Sequence, residues 1–298
     1  MSTLSCQWCQ AEFESELTSC PRCGASADVR EVVDEGGWIE VPPIKDMAEV
    51  QFGKSHAQIE GLMVGVVDVD LAEGNSVYCT HDKLLWHDGK VKLSTKKGGV
   101  FKSLKSGTPL TLLGVDGPGR VGFSDNHPGE LVAMPLQAGE HLISRQHHMV
   151  IATGNVAYDG YYLDRWYETV TEKHTDEGTE YEYETERPFG QFEKFTTGDG
   201  EPGLVILHAI GNLYMRILGP GETIDVAPHS ILAWKGGNEP GLMVERKGWH
   251  GIPSGWNHYI SARLQGPMTV WIQSGAMGKT QEHKRIHRYG PQSFDAVL

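Results

Sequence analysis

Three stretches of this chain decide its fold: NSVYCTHDKLLW (Asn75–Trp86), EHLISRQHHMVI (Glu140–Ile151) and ETIDVAPHSILA (Glu222–Ala233). Each follows a glycine (Gly74, Gly139 or Gly221), and with the glycines aligned the three stretches need no gap. Three residues on stand Val77, Leu142 and Ile224; ten on, Leu84, Met149 and Ile231; eleven on, Leu85, Val150 and Leu232. An alternating apolar run leads into each glycine: GVVDVDLAEG (65–74), LVAMPLQAG (131–139) and LYMRILGPG (213–221). The pattern is strand, glycine turn, strand, spacer, strand, written three times. The first two glycines are 65 residues apart and the second and third 82, so extra chain lies in the second interval.

Working outward, GRVGFSDNHPGELVAMPL (119–136), GLVILHAIGNLYMRIL (203–218) and HYISARLQGPMTVWIQS (258–274) each join two alternating runs through a glycine-containing turn, the mark of a hairpin. GVDGPGR (114–120) is read as a hairpin turn too. No helical period of useful length is present. The expected class is all-β: three pseudo-repeated units forming sandwich or β-helix-like layers, each covering a neighbour's apolar face.

Composition narrows the function. The chain has 298 residues, 39% of them hydrophobic, enough for a sizeable core. Lys and Arg number 26 against 39 Asp and Glu, a formal charge of −13, which disfavours nonspecific nucleic-acid binding. No run approaches the roughly 20 apolar residues of a spanning helix. The N-terminus has neither cationic head nor apolar stretch, so a cytoplasmic location is expected.

Four of the five cysteines sit together. Cys6 and Cys9 form one CxxC, Cys20 and Cys23 a second, with ten residues between the pairs. Two intervening residues let one tight turn present both sulfurs to one ion, and four soft thiolates suit a tetrahedral Zn²⁺. In the second pair Pro21 sets φ within the turn and Gly24 permits φ > 0 after it. Disulfides would need an oxidising compartment, and a redox CxxC would be expected near a βαβ pattern. One structural zinc per chain is expected, its closed shell leaving no position for substrate. Cys79, in an alternating stretch, reads as a small buried apolar residue.

The boundaries expected are a zinc-ribbon-like segment at 1–24, an acidic linker and lead-in at 25–50, the β body at 51–278 and a basic tail at 279–298. The second interval's extra length maps to an acidic, aromatic insertion at 165–195. There TEYEYETE places Tyr181 and Tyr183 on one face of a strand and Glu180, Glu182 and Glu184 on the other, an exposed hairpin or a partner-binding arm. Adjacent His147 and His148 would point to opposite faces, which suits a rim better than a metal site. Trp249, His250, Trp256 and His258 crowd one Gly/Trp-rich loop, a packed interface or a small-ligand pocket. No nucleophile elbow, phosphate-binding loop, HExxH or dinucleotide fingerprint is present.

Four blocks, VYCTHDKLLWHDGKVKLST, HPGELVAMPLQAGEHLISRQHHMVIATGNVAYD, LYMRILGPGETIDVAPHSILAW and LQGPMTVWIQS, resemble in order the altered inheritance of mitochondria protein 24 family. The likeness runs from about Ala57 to Ala276. The N-terminal array and GWIEVPPIKDMAEVQFG resemble a bacterial subgroup carrying a zinc-ribbon-like segment. The resemblance implies a β fold like that of the tryptophan RNA-binding attenuation protein and homo-oligomerisation; it implies no catalytic residues.

The function expected is a non-enzymatic scaffold or adaptor that self-associates, a trimer among the candidate forms, and binds a protein partner not named by the sequence. The alternatives are a small-ligand-binding or enzymatic β-barrel using the Trp249–Tyr259 loop, and an RNA-binding ring that the charge disfavours. No transmembrane segment is expected. The cationic KTQEHKRIHRYG (279–290) reads as a solvated tail or as a contact for an acidic partner or the surface of a membrane.

Overall fold

The computed structural model describes residues 3–6, 9–14, 17–27, 37–40, 48–61, 63–97, 111–175, 178–246, 258–275, 285–290 and 293–297. Among these there is no α-helix, only two three-residue helical turns, His81–Lys83 and Pro228–Ser230. No helix of the described residues is long and apolar enough to cross a membrane.

The body is three units of six strands with one connectivity. In the first unit the strands are Val66–Leu71, Ser76–Cys79, Leu84–His87, Lys92–Lys97, Thr111–Asp116 and Gly119–Ser124. In the second they are Glu130–Leu136, His141–Arg145, Met149–Thr153, Val156–Tyr161, Phe192–Thr197 and Gly203–Ala209. In the third they are Leu213–Leu218, Thr223–Val226, Ile231–Gly236, Gly241–Arg246, His258–Gln265 and Met268–Gln273. Every unit pairs its strands in the orders first–sixth–third and second–fifth–fourth, two three-stranded sheets facing each other.

The units share sheets. The third strand of the second unit pairs with the second strand of the first, and the third strand of the third unit with the second strand of the second. Four sheets result, numbered here I to IV, with three cores between them. Sheet I holds the first–sixth–third strands of unit one, extended by Ala48–Phe52 and Ser55–Glu60. Sheet II joins units one and two, sheet III joins units two and three, and sheet IV holds the second–fifth–fourth strands of unit three. Val69 and Phe123 of sheet I pack with Val115 and Ile206 of sheet II. Val205 and Leu207 pack on the other side with Leu142 and Phe195 of sheet III, and Ile143 and Val270 of sheet III with Leu264 of sheet IV. Gly203–Ala209 is therefore buried along its whole length, because both faces of sheet II are covered.

The glycine turns are alike in structure. Gly74, Gly139 and Gly221 have φ of 84°, 76° and 83°, and in each turn the following amide donates to the carbonyl three residues back at 3.1 Å. That is a type II turn, which demands the left-handed conformation a glycine adopts without strain. Leu85, Val150 and Leu232, at the shared eleventh position, are each the extra residue of a β-bulge against the sixth strand.

Several connections read as hairpins are corners. Gly119–Ser124 lies in sheet I and Glu130–Leu136 in sheet II; Gly203–Ala209 lies in II and Leu213–Leu218 in III; His258–Gln265 lies in IV and Met268–Gln273 in III. GVDGPGR likewise passes from sheet II to sheet I. A glycine turn serves both purposes, and the chain wraps over a core instead of folding back in plane. The fourth and fifth strands of each unit, by contrast, pair directly and antiparallel within one sheet.

The ends of the chain join the body. Ala48–Phe52 pairs with Ser55–Glu60, so the body begins before residue 51, and Ile39–Glu40 adds an edge to sheet III. The stretch 279–298, read from its charge as a tail, contributes Arg285–Tyr289 and Ser293–Val297, paired with Tyr167–Thr175 and Gly241–Arg246. The insertion is the hairpin Tyr167–Thr175 and Gly178–Glu186; from Phe192 the 165–195 segment is already the fifth strand of unit two.

Met149 and Ile231 are fully buried, whereas the equivalent Leu84 is only partly buried. Met149→Ala and Ile231→Ala should each cost about 2–5 kcal/mol and Leu84→Ala clearly less, read from denaturant midpoints at unchanged slope.

Candidate metal centre

Two turns build the N-terminal module. Thr3–Ser5 and Glu12–Glu14 pair as a short antiparallel ladder that carries the first CxxC between them. In each knuckle the first cysteine's carbonyl accepts from the amide four residues on, Gln10 or Gly24, at 2.8 Å. Its own amide donates to Ala11 or Ala25, again at 2.8 Å. Gln10 and Gly24 occupy the same place in the two knuckles and both are left-handed, at φ of 56° and 73°. Glycine tolerates this freely; Gln10 is held there by the turn.

The turns bring the four predicted ligands together. Cys6 and Cys23 sulfurs lie 3.6 Å apart, Cys9 and Cys20 sulfurs 3.6 Å apart, and all four within 4.8 Å of one another. A disulfide would hold its sulfurs at about 2.0 Å, so these are free thiols. Four sulfurs at about 2.3 Å from one ion would stand about 3.8 Å apart in a regular tetrahedron. The donor set and its spacing therefore fit a metal ion. Hydrogen bonding from Cys20 and Cys23 pulls the Cys6 thiol down, and bonding from Cys23 pulls Cys20 down to about 7. Cys9 and Cys23 are pushed up, chiefly by Cys20 beside them. Crowded sulfurs cannot all ionise without a cation among them.

The module is fixed to the body. Phe13, Cys20, Cys23 and Ala25 belong to the same apolar cluster as Val50, and the Gln51 amide donates to the Pro21 carbonyl at 2.8 Å. Cys79, the fifth cysteine, is buried in sheet II, where burial pushes its thiol up to about 12.

The other predicted site residues are dispersed. Tyr181 and Tyr183 lie on the outer strand of the inserted hairpin, 56% and 53% exposed. His258 opens the fifth strand of unit three, while Trp249, His250 and Trp256 lie outside the described residues. In chain order both segments fall between the fourth and fifth strands of a unit.

Composition gave no sign of one further constellation. Lys83 and Asp125, both buried, form an ion pair between the unit-one spacer and the end of its sixth strand. His127 Nδ1 lies 2.8 Å from Asp125 Oδ1, and His208 Nδ1 3.8 Å from Asp125 Oδ2. Burial raises the Asp125 carboxyl, but the bonds from Lys83 and His127 outweigh it and hold it below the usual range. His148 is buried, not on a rim: its Nδ1 donates to the His208 carbonyl at 2.7 Å, and burial lowers its pKa to about 4, leaving it neutral. His147 is the exposed neighbour, left-handed at φ 70° in the spacer turn. Deeper, Glu193 accepts from the Tyr158 hydroxyl at 3.0 Å, and burial pushes its carboxyl up to about 7.

The family model described as Mitochondrial biogenesis AIM24 matches residues 57–275. The chain belongs to this family. The match covers the repeated sheets and starts after the cysteine module, so the four-cysteine cluster lies outside the matched residues. An uncharacterized protein of Streptococcus pyogenes serotype M6 is 30% identical over 84 residues, 24% of this chain and 34% of the relative. The chain thus matches about a third of that relative's length. The crystal structure of protein SPYM3_0169 from Streptococcus pyogenes is similar with a TM-score of 0.50 at 19% identity, covering 75% of this chain and 95% of that one. At that identity the likeness concerns the fold.

Two outcomes are expected. Lys83→Met strands the Asp125 charge in the interior and should cost about 3–5 kcal/mol in denaturant unfolding at neutral pH. Between about pH 4.5 and pH 7 the unfolded Glu193 ionises while the folded one keeps its proton, so stability falls as pH rises through that window. Glu193→Gln should remove this slope and be about 3 kcal/mol more stable than the parent at pH 8, with little difference at pH 4.

Proposed function

We propose that this AIM24-family protein is a non-enzymatic, self-associating adaptor with one structural zinc per chain, working in the cytoplasm. The observation that carries the adaptor reading is the inserted hairpin. Tyr167–Thr175 and Gly178–Glu186 project nine-residue strands whose outer member is exposed along nearly its whole length, with Tyr181 and Tyr183 on one face. Tyrosine gives large contact area at low entropic cost, the kind of residue that interfaces favour. The hairpin is braced at its base: Arg288 of Arg285–Tyr289 forms an ion pair with Glu168, Nε to Oε2 at 2.9 Å. A braced aromatic strand loses less entropy on binding than a loose one.

The non-enzymatic reading rests on how the reactive side chains are used. Four thiolates would fill the shell of one ion, Cys79 is buried and held protonated, and Lys83 and Asp125 neutralise each other. The zinc assignment rests on the four-sulfur donor set, which suits a soft tetrahedral ion.

Elemental analysis should find about one zinc per chain, and Cys6→Ser/Cys23→Ser should lose it while the body keeps its β-sheet circular dichroism. A tagged chain recovered from native lysate should carry a stoichiometric protein partner that Tyr181→Ser/Tyr183→Ser releases. Equal recovery with both tyrosines replaced would remove the hairpin from the reading.

A further inference from the structure

The two junctions between units follow one register. Counting from each unit's glycine, Ala152 at the thirteenth position pairs with Tyr78 at the fourth, and Thr153 at the fourteenth with Val77 at the third. At the next junction Trp234, again the thirteenth, pairs with Ile143, again the fourth, and Ala233, the twelfth, with Ser144, the fifth. The side chains divide in one way as well. The eleventh and twelfth residues of a third strand enter the core of the preceding unit: Val150 and Ile151 the first core, Leu232 and Ala233 the second. The tenth and thirteenth enter the unit's own core, Met149 and Ala152 the second, Ile231 and Trp234 the third.

Both halves of this junction recur at the ends of the chain without a strand partner among the described residues. Leu84–His87, the third strand of unit one, is the last strand of sheet I, and Thr223–Val226, the second strand of unit three, is the last strand of sheet IV. Leu85 and Trp86 stand where Val150 and Ile151 stand in unit two, yet are 49% and 39% exposed. An edge strand left open to water is normally protected by charge, and this one instead presents two large apolar side chains.

We infer that these two edges pair between copies of the chain: Leu84–His87 of one copy runs antiparallel to Thr223–Val226 of another, continuing the internal junction. The internal register then sets His87 against Asp225, Trp86 against Val226 and Asp88 against Ile224. Trp86 and Leu85 would enter the third core of the other copy beside Val226, already a member of it. His87 brings a hydrogen-bonding imidazole to Asp225, which Arg263 holds through Nε and Nη2 at 2.8 and 2.6 Å. The contact is heterologous, so it builds a ring where the rotation closes and a filament where it does not. This inference rests on the self-association in the proposed function and specifies its surface.

The test mixes two variants with one added cysteine each, His87→Cys and Asp225→Cys, of the zinc-loaded full chain under mild oxidation. Directly opposed residues stand about 4.5–5.5 Å apart at Cα, within disulfide reach, whereas a partner two residues off register is beyond it. The expected result is a His87→Cys/Asp225→Cys disulfide between chains and at least tenfold less with His87→Cys/Thr223→Cys. By light scattering the parent mass should rise with concentration up to about 100 μM, and Trp86→Lys, a surface change, should weaken association at least tenfold at unchanged circular dichroism. Equal cross-linking in the two registers, or association untouched by Trp86→Lys, would overturn the edge pairing and leave self-association standing. A parent that stays at the mass of one chain would overturn both.

Discussion

The antiparallel contact between the second strand of one unit and the third strand of the next is what the rest of the body depends on. A unit alone would be two three-stranded sheets enclosing one core, with every outer face and edge in water. The contact fuses the back sheet of one unit with the front sheet of the next, so sheets II and III are covered on both sides. The junctions are locked by more than the ladder. The guanidinium of Arg145 donates to the carbonyls of Ile231, Pro228 and Phe189 at 2.7–2.9 Å, spanning units two and three. Burial lowers its pKa to about 10, so it stays charged at neutral pH, and three oriented carbonyls stand in for water around it.

The cysteine module obeys a different constraint. A segment of some twenty residues cannot bury enough apolar area to offset its ordering entropy, and a metal ion held by the four sulfurs would supply what a core cannot. The two knuckles reach the same backbone hydrogen bonds through unlike residues at their left-handed positions, Gln10 and Gly24, and so bring four sulfurs into one cluster. The module then shares the first core through Phe13 and Cys20 and lies at the Ala48–Phe52 side of sheet I, the side opposite Leu84–His87. One edge of that sheet is thereby occupied and the other left open.

What was legible in the sequence was local. The type II turns need glycine, so Gly74, Gly139 and Gly221 fixed a frame in which apolar offsets could be counted, and those offsets fall on equivalent strands. Metal ligands at CxxC spacing are likewise set by one turn each. Sheet membership was not legible, since a glycine between two alternating runs looks the same at a hairpin and at a corner. Lys83 and Asp125 lie 42 residues apart, and nothing near either marks it as buried. Arg285–Tyr289 and Ser293–Val297 lie in or just after a cationic stretch that reads as a tail, while pairing partners 118 and 52 residues away, counted from strand start to strand start, decide their structure. Leu84 shows the limit of the repeat itself: position in a unit fixes the direction a side chain takes, but burial also needs a preceding unit.

One row of residues shows how the first unit differs from its successors. Across the third, sixth and first strands, unit two sets Ile151, Ile206 and Ala133 side by side, and unit three sets Ala233, Trp271 and Met215. Every member of those rows is buried. In unit one the same row reads Trp86, Gly122 and Asp68. Asp68 is bound by Arg120 through Nε and Nη2 at 2.9 and 2.6 Å, so the middle of the outer face is polar, as the end of a stacked array should be. Gly122 leaves room for the Trp86 ring, which lies against it so closely that a Cβ there would clash with the indole nitrogen. The row passes from apolar at the open edge to charged inward. A whole sheet stacked on this face would bury Arg120 along with the already buried Asp68, which is costly, whereas a strand added at the edge covers the tryptophan and leaves the Arg120 guanidinium exposed. The face therefore disfavours growth by stacking, while the edge retains the apolar side chains that strand addition requires.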